Sequence, residues 1–217
     1  MLLCYITDRS QFSGDESARR RRLLEKIAEA ARCGVDFIQL REKDLTTREL
    51  ELLAREAMRA IRENSPSNTQ LLINSRTDVA LAVGADGVHL RSDDISPSDV
   101  RNIASQHDQR SPLTIGVSCH TLHEVERAVD HADFVVYGPV FQKNTVSGST
   151  AAGIEALHQA CQEKISVLAL GGITSEIAGA CLQAGAAGIA AIRLFQDNEM
   201  RKVVGVLRSL PQLNVVD

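Results

Sequence analysis

Two short apolar runs end abruptly in polar residues. Leu71-Leu72-Ile73 meets Asn74-Ser75-Arg76, and Gly87-Val88-His89-Leu90 meets Arg91-Ser92-Asp93-Asp94. A divalent-ion site shared by two such ends wants a carboxylate on each, and the first offers a serine. The stretch "IQLREKD" (38–44) puts Gln39, Arg41 and Lys43 on one face of an extended chain, with Ile38, Leu40 and Glu42 on the other. An amide, a forked guanidinium and a point-charge ammonium together suit a phosphate or pyrophosphate; an exposed charged turn is the competing explanation. In "GVSCHT" (116–121) the adjacent Cys119 and His120 suggest a thiol–imidazole pair, but strand alternation sends neighbours to opposite faces. Ser118 and His120 can share a face instead. Imidazole is the side chain suited to proton transfer near neutral pH, which makes His120 the general acid/base candidate, or else a histidine that caps the following helix.

Three further segments could bind anions. "LALGGIT" contains Gly171-Gly172, whose backbone N–H groups can approach a phosphate closely. "IAAIRLF" ends at Ile192-Arg193, where the arginine could add charge to a phosphate or fill the place of one. "YGPVFQKNTVSGSTAAG" is rich in Ser, Gly, Thr and Asn over 142–152, as a lid or an idle loop would be. His89 lies within an apolar run and reads as a hydrogen-bonded core residue. His107, His123, His131 and His158 fall on helical patterns and read as surface.

These groups need a scaffold that gathers strand ends. Eight apolar runs of strand length recur: Leu2–Ile6, Asp36–Leu40, Leu71–Asn74, Gly87–Leu90, Leu113–Val117, Asp133–Val136, Ser166–Ala169 and Gly188–Ala191. Amphipathic stretches with a period near 3.6 lie between them, such as Leu23-Leu24-Ile27-Ala28-Ala31 and Leu50-Leu53-Ala54-Ala57-Ile61. Thr46 with Glu49, Ser96-Pro97, and Thr121 with Glu124 signal helix starts; Gly34, Gly84 and Gly185 signal helix ends. Near-continuous apolar strands alternating with helices indicate an α/β protein, a (β/α)8 TIM barrel forming one domain over 1–217. An open doubly wound sheet would need fewer strands, and no G-x-G-x-x-G follows the first. In such a barrel, chemistry sits at the carboxyl ends of the strands and a phosphate commonly binds after strands seven and eight.

Composition narrows the partners. A formal net charge of −4 and 3% aromatic residues offer no footprint for nucleic acid or an anionic membrane. Arg19-Arg20-Arg21-Arg22 is flanked by Asp15, Glu16, Glu25 and Glu29, as on a solvated helix face. No apolar run reaches the roughly 20 residues of a membrane span, and Met1–Ile6 has no signal-peptide pattern. Five cysteines without CxxC spacing point to reduced thiols and a cytoplasmic location.

The segments "QLREK", "LLIN-R-DVALAVGADGVHL", "GVS-H", "ADFV-YGPVF" and "LALGGI" occur in order over nearly the whole chain. Together they resemble the thiamine phosphate synthase superfamily, which comprises the synthase and the TenI-type thiazole tautomerases. The resemblance implies a barrel that binds thiazole phosphate. It also implies either of two reactions: a Mg²⁺-dependent coupling of a pyrimidine pyrophosphate to thiazole phosphate, or a metal-free proton shift that aromatises a carboxythiazole phosphate.

Three departures separate the chain from the synthase pattern. Ser75 stands where the first of two magnesium-binding acids is expected, leaving Asp94 at the second position. Lys143-Asn144-Thr145-Val146 replaces a Thr-x-Thr-Lys run, and Arg193 replaces a serine. On these grounds the resemblance favours the tautomerase, with His120 as proton shuttle, Ser118 beside it and no cofactor. Gln39, Arg41, Lys43, Asn74 and Thr145 would bind substrate, and Gly171, Gly172, Ile192 and Arg193 would surround the phosphate. The synthase alternative would use Mg²⁺ at Asp94, helped by Asp93, and would take a pyrimidine pyrophosphate as second partner. A further alternative is a non-catalytic ligand-binding homologue. The resemblance also implies a homodimer.

Overall fold

The structure is a computed structural model that describes residues 1–66, 68–106, 112–141 and 151–211. Eight parallel strands close into a barrel in sequential order: β1 (Leu2–Ile6), β2 (Phe37–Leu40), β3 (Gln70–Asn74), β4 (Gly87–Leu90), β5 (Thr114–Cys119), β6 (Phe134–Tyr137), β7 (Ser166–Leu170) and β8 (Gly188–Ala191). The helices between and after them are α1 (Glu16–Arg32), α2 (Thr47–Asn64), α3 (Thr77–Val83), α4 (Pro97–Ser105), α5 (Leu122–Ala128), α6 (Gly153–Ala160), α7 (Ala178–Gln183), α8 (Arg193–Gln196) and α9 (Met200–Ser209). The expected (β/α)8 architecture is the one observed.

Local chemistry explains why the elements start and stop where they do. Thr46 with Glu49 and Thr121 with Glu124 each form a complete capping box, and Ser96 caps α4 ahead of Pro97. Gly34, Gly84 and Gly185 turn the chain out of α1, α3 and α7 at positive φ. Arg20 and Arg21 of the arginine run pair with Glu56 and Glu25, as on a solvated helix face.

Two apolar layers hold the barrel. Alternate strand residues such as Leu3, Ile38, Ile73, Val88, Ile115, Val135, Val167 and Ile189 face the helices and form the larger core. The intervening residues Cys4, Ile6, Leu72, Phe134, Val136, Leu168 and Ala190 fill the barrel itself. Phe37 and Phe134 stack with ring centroids 4.8 Å apart. Inward glycines make room for such rings: a Cβ on Gly116 would lie 2.5 Å from Phe134 Cζ and 2.7 Å from His89 Nδ1. Gly116 is therefore a packing requirement.

β5 extends to Cys119, two residues beyond the sequence expectation. Its ladder with β6 continues through the Cys119–Tyr137 pair, and the Gly138 N–H then donates to the Cys119 carbonyl. This keeps Ser118 inside the strand and leaves His120 in the bend that follows.

Candidate active site at the carboxyl ends of the strands

Towards their carboxyl ends the inward positions turn polar. Gln39 of β2 is 2% exposed and donates from Nε2 to Asn74 Oδ1 of β3 at 2.9 Å. Asn74 donates onward to Ser75 Oγ at 3.1 Å. His89 of β4 is 1% exposed, and its Nε2 lies 2.9 Å from Ser118 Oγ of β5. Gln39 Oε1 and His89 Nδ1 have no hydrogen-bond partner among the described residues. Burial, and secondarily the charge of Arg41, pushes the His89 imidazole down to about 4. His89 is thus a neutral ring that touches a candidate catalytic hydroxyl. The sequence reading placed it correctly in the core, but its contact with Ser118 could not be seen there. The two residues are 29 positions apart and meet only through strand pairing.

Ser118 and His120 do not act on each other. The Ser118 hydroxyl is engaged with His89, whereas His120 is exposed and its Nδ1 contacts the Gly138 carbonyl. A carbonyl only accepts, so Nδ1 is the donor in this contact and Nε2 makes no contact to it. The His120 backbone N–H and the Thr121 N–H both donate to Glu124 Oε2, which fixes the bend. Cys119 faces the outer core, where burial raises its thiol to about 12. That excludes a thiolate partner for His120.

Beyond Leu40 the chain sorts its charges by side. Glu42 is 6% exposed and Asp44 lies beside it, and both are bound by Arg9 at the end of β1. Arg41 is half-buried and Lys43 exposed, and among the described residues neither has an ion-pair partner. The Arg41 guanidinium, partial burial and Arg91 hold the Lys43 ammonium below its usual range. Two unpaired cations crowd one rim, as a multiply charged anion requires.

The acids of the β4–α4 turn are less free. Asp93 takes a two-point contact from Arg91 at 2.9 and 2.7 Å. Asp94 Oδ2 accepts the Arg91 backbone N–H at 2.8 Å, and its Oδ1 lies 3.7 Å from Arg91 Nε. Asp94 and Ser75 line the same cavity of about 620 Å³, together with Leu81, Ile95 and Ile103. Ser75 sits at φ 60°, the only non-glycine residue at positive φ among the described residues. Its N–H donates to the His89 carbonyl. Magnesium commonly takes one or two carboxylates and completes its shell with substrate phosphate and water. Asp94 offers a single carboxylate with both oxygens near Arg91, so an ion bound there would have to take the rest of its shell from substrate phosphate and water.

The opposite rim carries the glycine pair. Gly171 (φ 100°) and Gly172 (φ 65°) pack beneath the β6–α6 connection, where a Cβ would come within 2.6 Å of Pro139 and 2.8 Å of Phe141. Their type is therefore demanded by both backbone and packing. Ile192 follows β8, and the exposed Arg193 begins α8 without an ion-pair partner among the described residues. Thr145 and His107 lie outside the described residues. Sequence reasoning missed Thr7, Arg9 and Gln196, all buried, which join this rim to the β2 rim. Gln196 accepts the Tyr5 hydroxyl proton at 2.9 Å and donates to the Asp8 carbonyl at 2.8 Å. The "TDR" after β1 is a short polar run at a strand end, a signal of the same kind as "REKD".

Comparison with known proteins agrees with the barrel fold. The family model described as thiamine monophosphate synthase matches residues 3–195. A putative thiamine-phosphate synthase of Geobacter sulfurreducens is 41% identical over 212 residues, covering 96% of this chain and 93% of that protein. The putative thiamine-phosphate synthase 2 of Aquifex aeolicus is 37% identical, covering 88% and 95%. Among solved structures, a thiamine phosphate pyrophosphorylase from Pyrococcus furiosus superposes with a TM-score of 0.78 at 31% identity, covering 96% and 94%. Match, fold and the polar strand ends coincide along one chain, which belongs to the thiamine monophosphate synthase family of thiamine-biosynthesis enzymes.

Proposed function

We propose that this protein is a thiamine-phosphate synthase, a transferase that joins a pyrimidine pyrophosphate to thiazole phosphate and releases pyrophosphate. The observation that carries this reading is the pair of cations, Arg41 and Lys43, that follow β2 without an ion-pair partner among the described residues. A leaving pyrophosphate accumulates negative charge as its bond to the pyrimidine breaks, and fixed cations stabilise that charge most where it develops. Gln39 and Asn74 bind the substrate in the mouth, and Thr145 is a further candidate on the sequence alone; Gln39 Oε1, without a hydrogen-bond partner among the described residues, can accept a substrate N–H. Gly171, Gly172, Ile192 and Arg193 receive the thiazole phosphate on the opposite rim. Ser118, whose hydroxyl is held by His89, would contact the substrate between its two anionic ends. A magnesium ion held by Asp94 would supply further charge neutralisation for the pyrophosphate. The names of the relatives support the transferase over the tautomerase that the sequence departures favoured.

A second reading rests on Ser75 and His120. Ser75 stands where one acid of the ion's seat is expected, and His120, with Nδ1 on the Gly138 carbonyl, leaves Nε2 for a proton shift on a carboxythiazole phosphate. Purified protein incubated with both substrate sets, with Mg²⁺ and with EDTA, decides between them. The transferase yields thiamine phosphate only with Mg²⁺. Metal-independent aromatisation of the carboxythiazole phosphate without any thiamine phosphate would overturn it in favour of the tautomerase.

A further inference from the structure

The turn after β1 holds a buried polar group to which the proposed reaction gives no task. Arg9 is 4% exposed. Its guanidinium donates to Glu42 at 3.1 Å, to both oxygens of Asp44 at 2.7 and 2.8 Å, and to Glu16 at 2.7 Å. Its backbone N–H adds a bond to Glu42 Oε2 at 3.0 Å. Glu42 also accepts the Thr7 hydroxyl proton at 2.6 Å, and Thr7 Oγ accepts the backbone N–H of Arg41 at 3.0 Å. Thr7 is fully buried. An unbroken path therefore runs from Arg9 through Glu42 and Thr7 to the main chain of Arg41.

Charge makes this arrangement consequential. Residues 41–44 alternate cation, acid, cation, acid, and each acid has a cation as its chain neighbour. Without Arg9, the desolvated Glu42 carboxylate would be left without its guanidinium, and a buried charge that loses its partner is strongly destabilising. Arg41 and Lys43 are the cations beside it, and pairing with either would withdraw positive charge from the anion-binding rim. Arg9 is not at the reacting centre, so this effect would be indirect.

We propose that Arg9 is a positioning residue: it captures the acids of the β2–α2 turn and, through Glu42 and Thr7, fixes the Arg41 backbone so that Arg41 and Lys43 stay available to pyrophosphate. This inference rests on the transferase reading. A purely structural ion-pair network would instead lower stability and affect both substrates alike.

The test is isothermal titration of inorganic pyrophosphate into full-length wild type, Arg9→Gln, Arg9→Lys and Thr7→Val, with melting curves for each protein. Thr7→Val changes no charge and only interrupts the path. Losing one charge-assisted hydrogen bond weakens binding roughly tenfold or more, so if Arg41 is no longer held for the anion, Arg9→Gln and Thr7→Val are expected to weaken pyrophosphate binding by about that factor. Arg9→Lys should recover part of the loss. In steady state, KM for the pyrimidine pyrophosphate should rise by a similar factor while KM for thiazole phosphate stays within about twofold. Wild-type affinity in Arg9→Gln and Thr7→Val, or a parallel rise of both KM values, overturns the positioning role and leaves the anion site standing. If wild type itself fails to bind pyrophosphate, the transferase reading falls and the positioning role falls with it.

Discussion

At the scale of single residues, strand alternation makes one feature of the candidate site legible. It separates Gln39, Arg41 and Lys43 from Glu42, and the structure keeps that separation because Arg9 holds the acids on the far side. Arg9 was not legible from pattern: it lies in a turn, and its partner Glu42 is 33 residues away. Ser75 is the residue whose type most affects the chemistry. At φ 60° it occupies a region that Asn and Asp enter more readily than most side chains. Ser75→Asp therefore adds a second carboxylate to the cavity that Asp94 also lines, without adding backbone strain. Because divalent-ion affinity follows the number of charged ligands, the half-saturating Mg²⁺ concentration for turnover should fall by about tenfold. The melting temperature should not decrease. Turnover with an unchanged magnesium requirement would mean that the ion does not sit between Ser75 and Asp94.

At the scale of elements, the barrel was legible because strands buried on both faces read as continuous apolar runs, and because caps and C-terminal glycines mark the helices. The boundaries erred where tertiary pairing decides, as at the end of β5, where the Cys119–Tyr137 pair lengthens the strand. Inward glycines have no signature of their own in a strand, yet they set the packing. Gly116→Ala places a methyl group against the Phe134 ring and His89 Nδ1, at 2.5 and 2.7 Å before relaxation. Such overpacking typically costs about 1–3 kcal/mol. Since the displaced imidazole is the partner of Ser118, turnover by the proposed transferase should fall together with the urea midpoint. A variant with wild-type stability would show that β5 has slack the packing does not display.

At the scale of the whole molecule, the interior is built around a neutral imidazole, which ties global stability to pH. His89 shifts from 6.5 to about 4 on folding, and at 1.36 kcal/mol per unit this corresponds to roughly 3 kcal/mol. The shift arises mainly from burial and next from Arg41. Between these two values the unfolded chain binds the proton and the folded protein does not, so stability rises with pH across that window. The contribution is complete above about 6.5 and is lost as pH falls towards 4. Other groups act in the same acid range with both signs. Asp44 and Asp78 are held low by Arg9 and Arg76 and also lose stability on acidification, whereas burial raises Glu42 and works in the opposite direction. The His89 share is isolated by difference. His89→Gln removes the titrating ring but can still hydrogen-bond Ser118. Urea unfolding of both proteins at pH 7 and pH 4.5 should show wild type losing about 2–3 kcal/mol more than the variant on acidification. Equal losses would mean that His89 is protonated inside the folded barrel, and the neutral ring beside Ser118 would have to be abandoned.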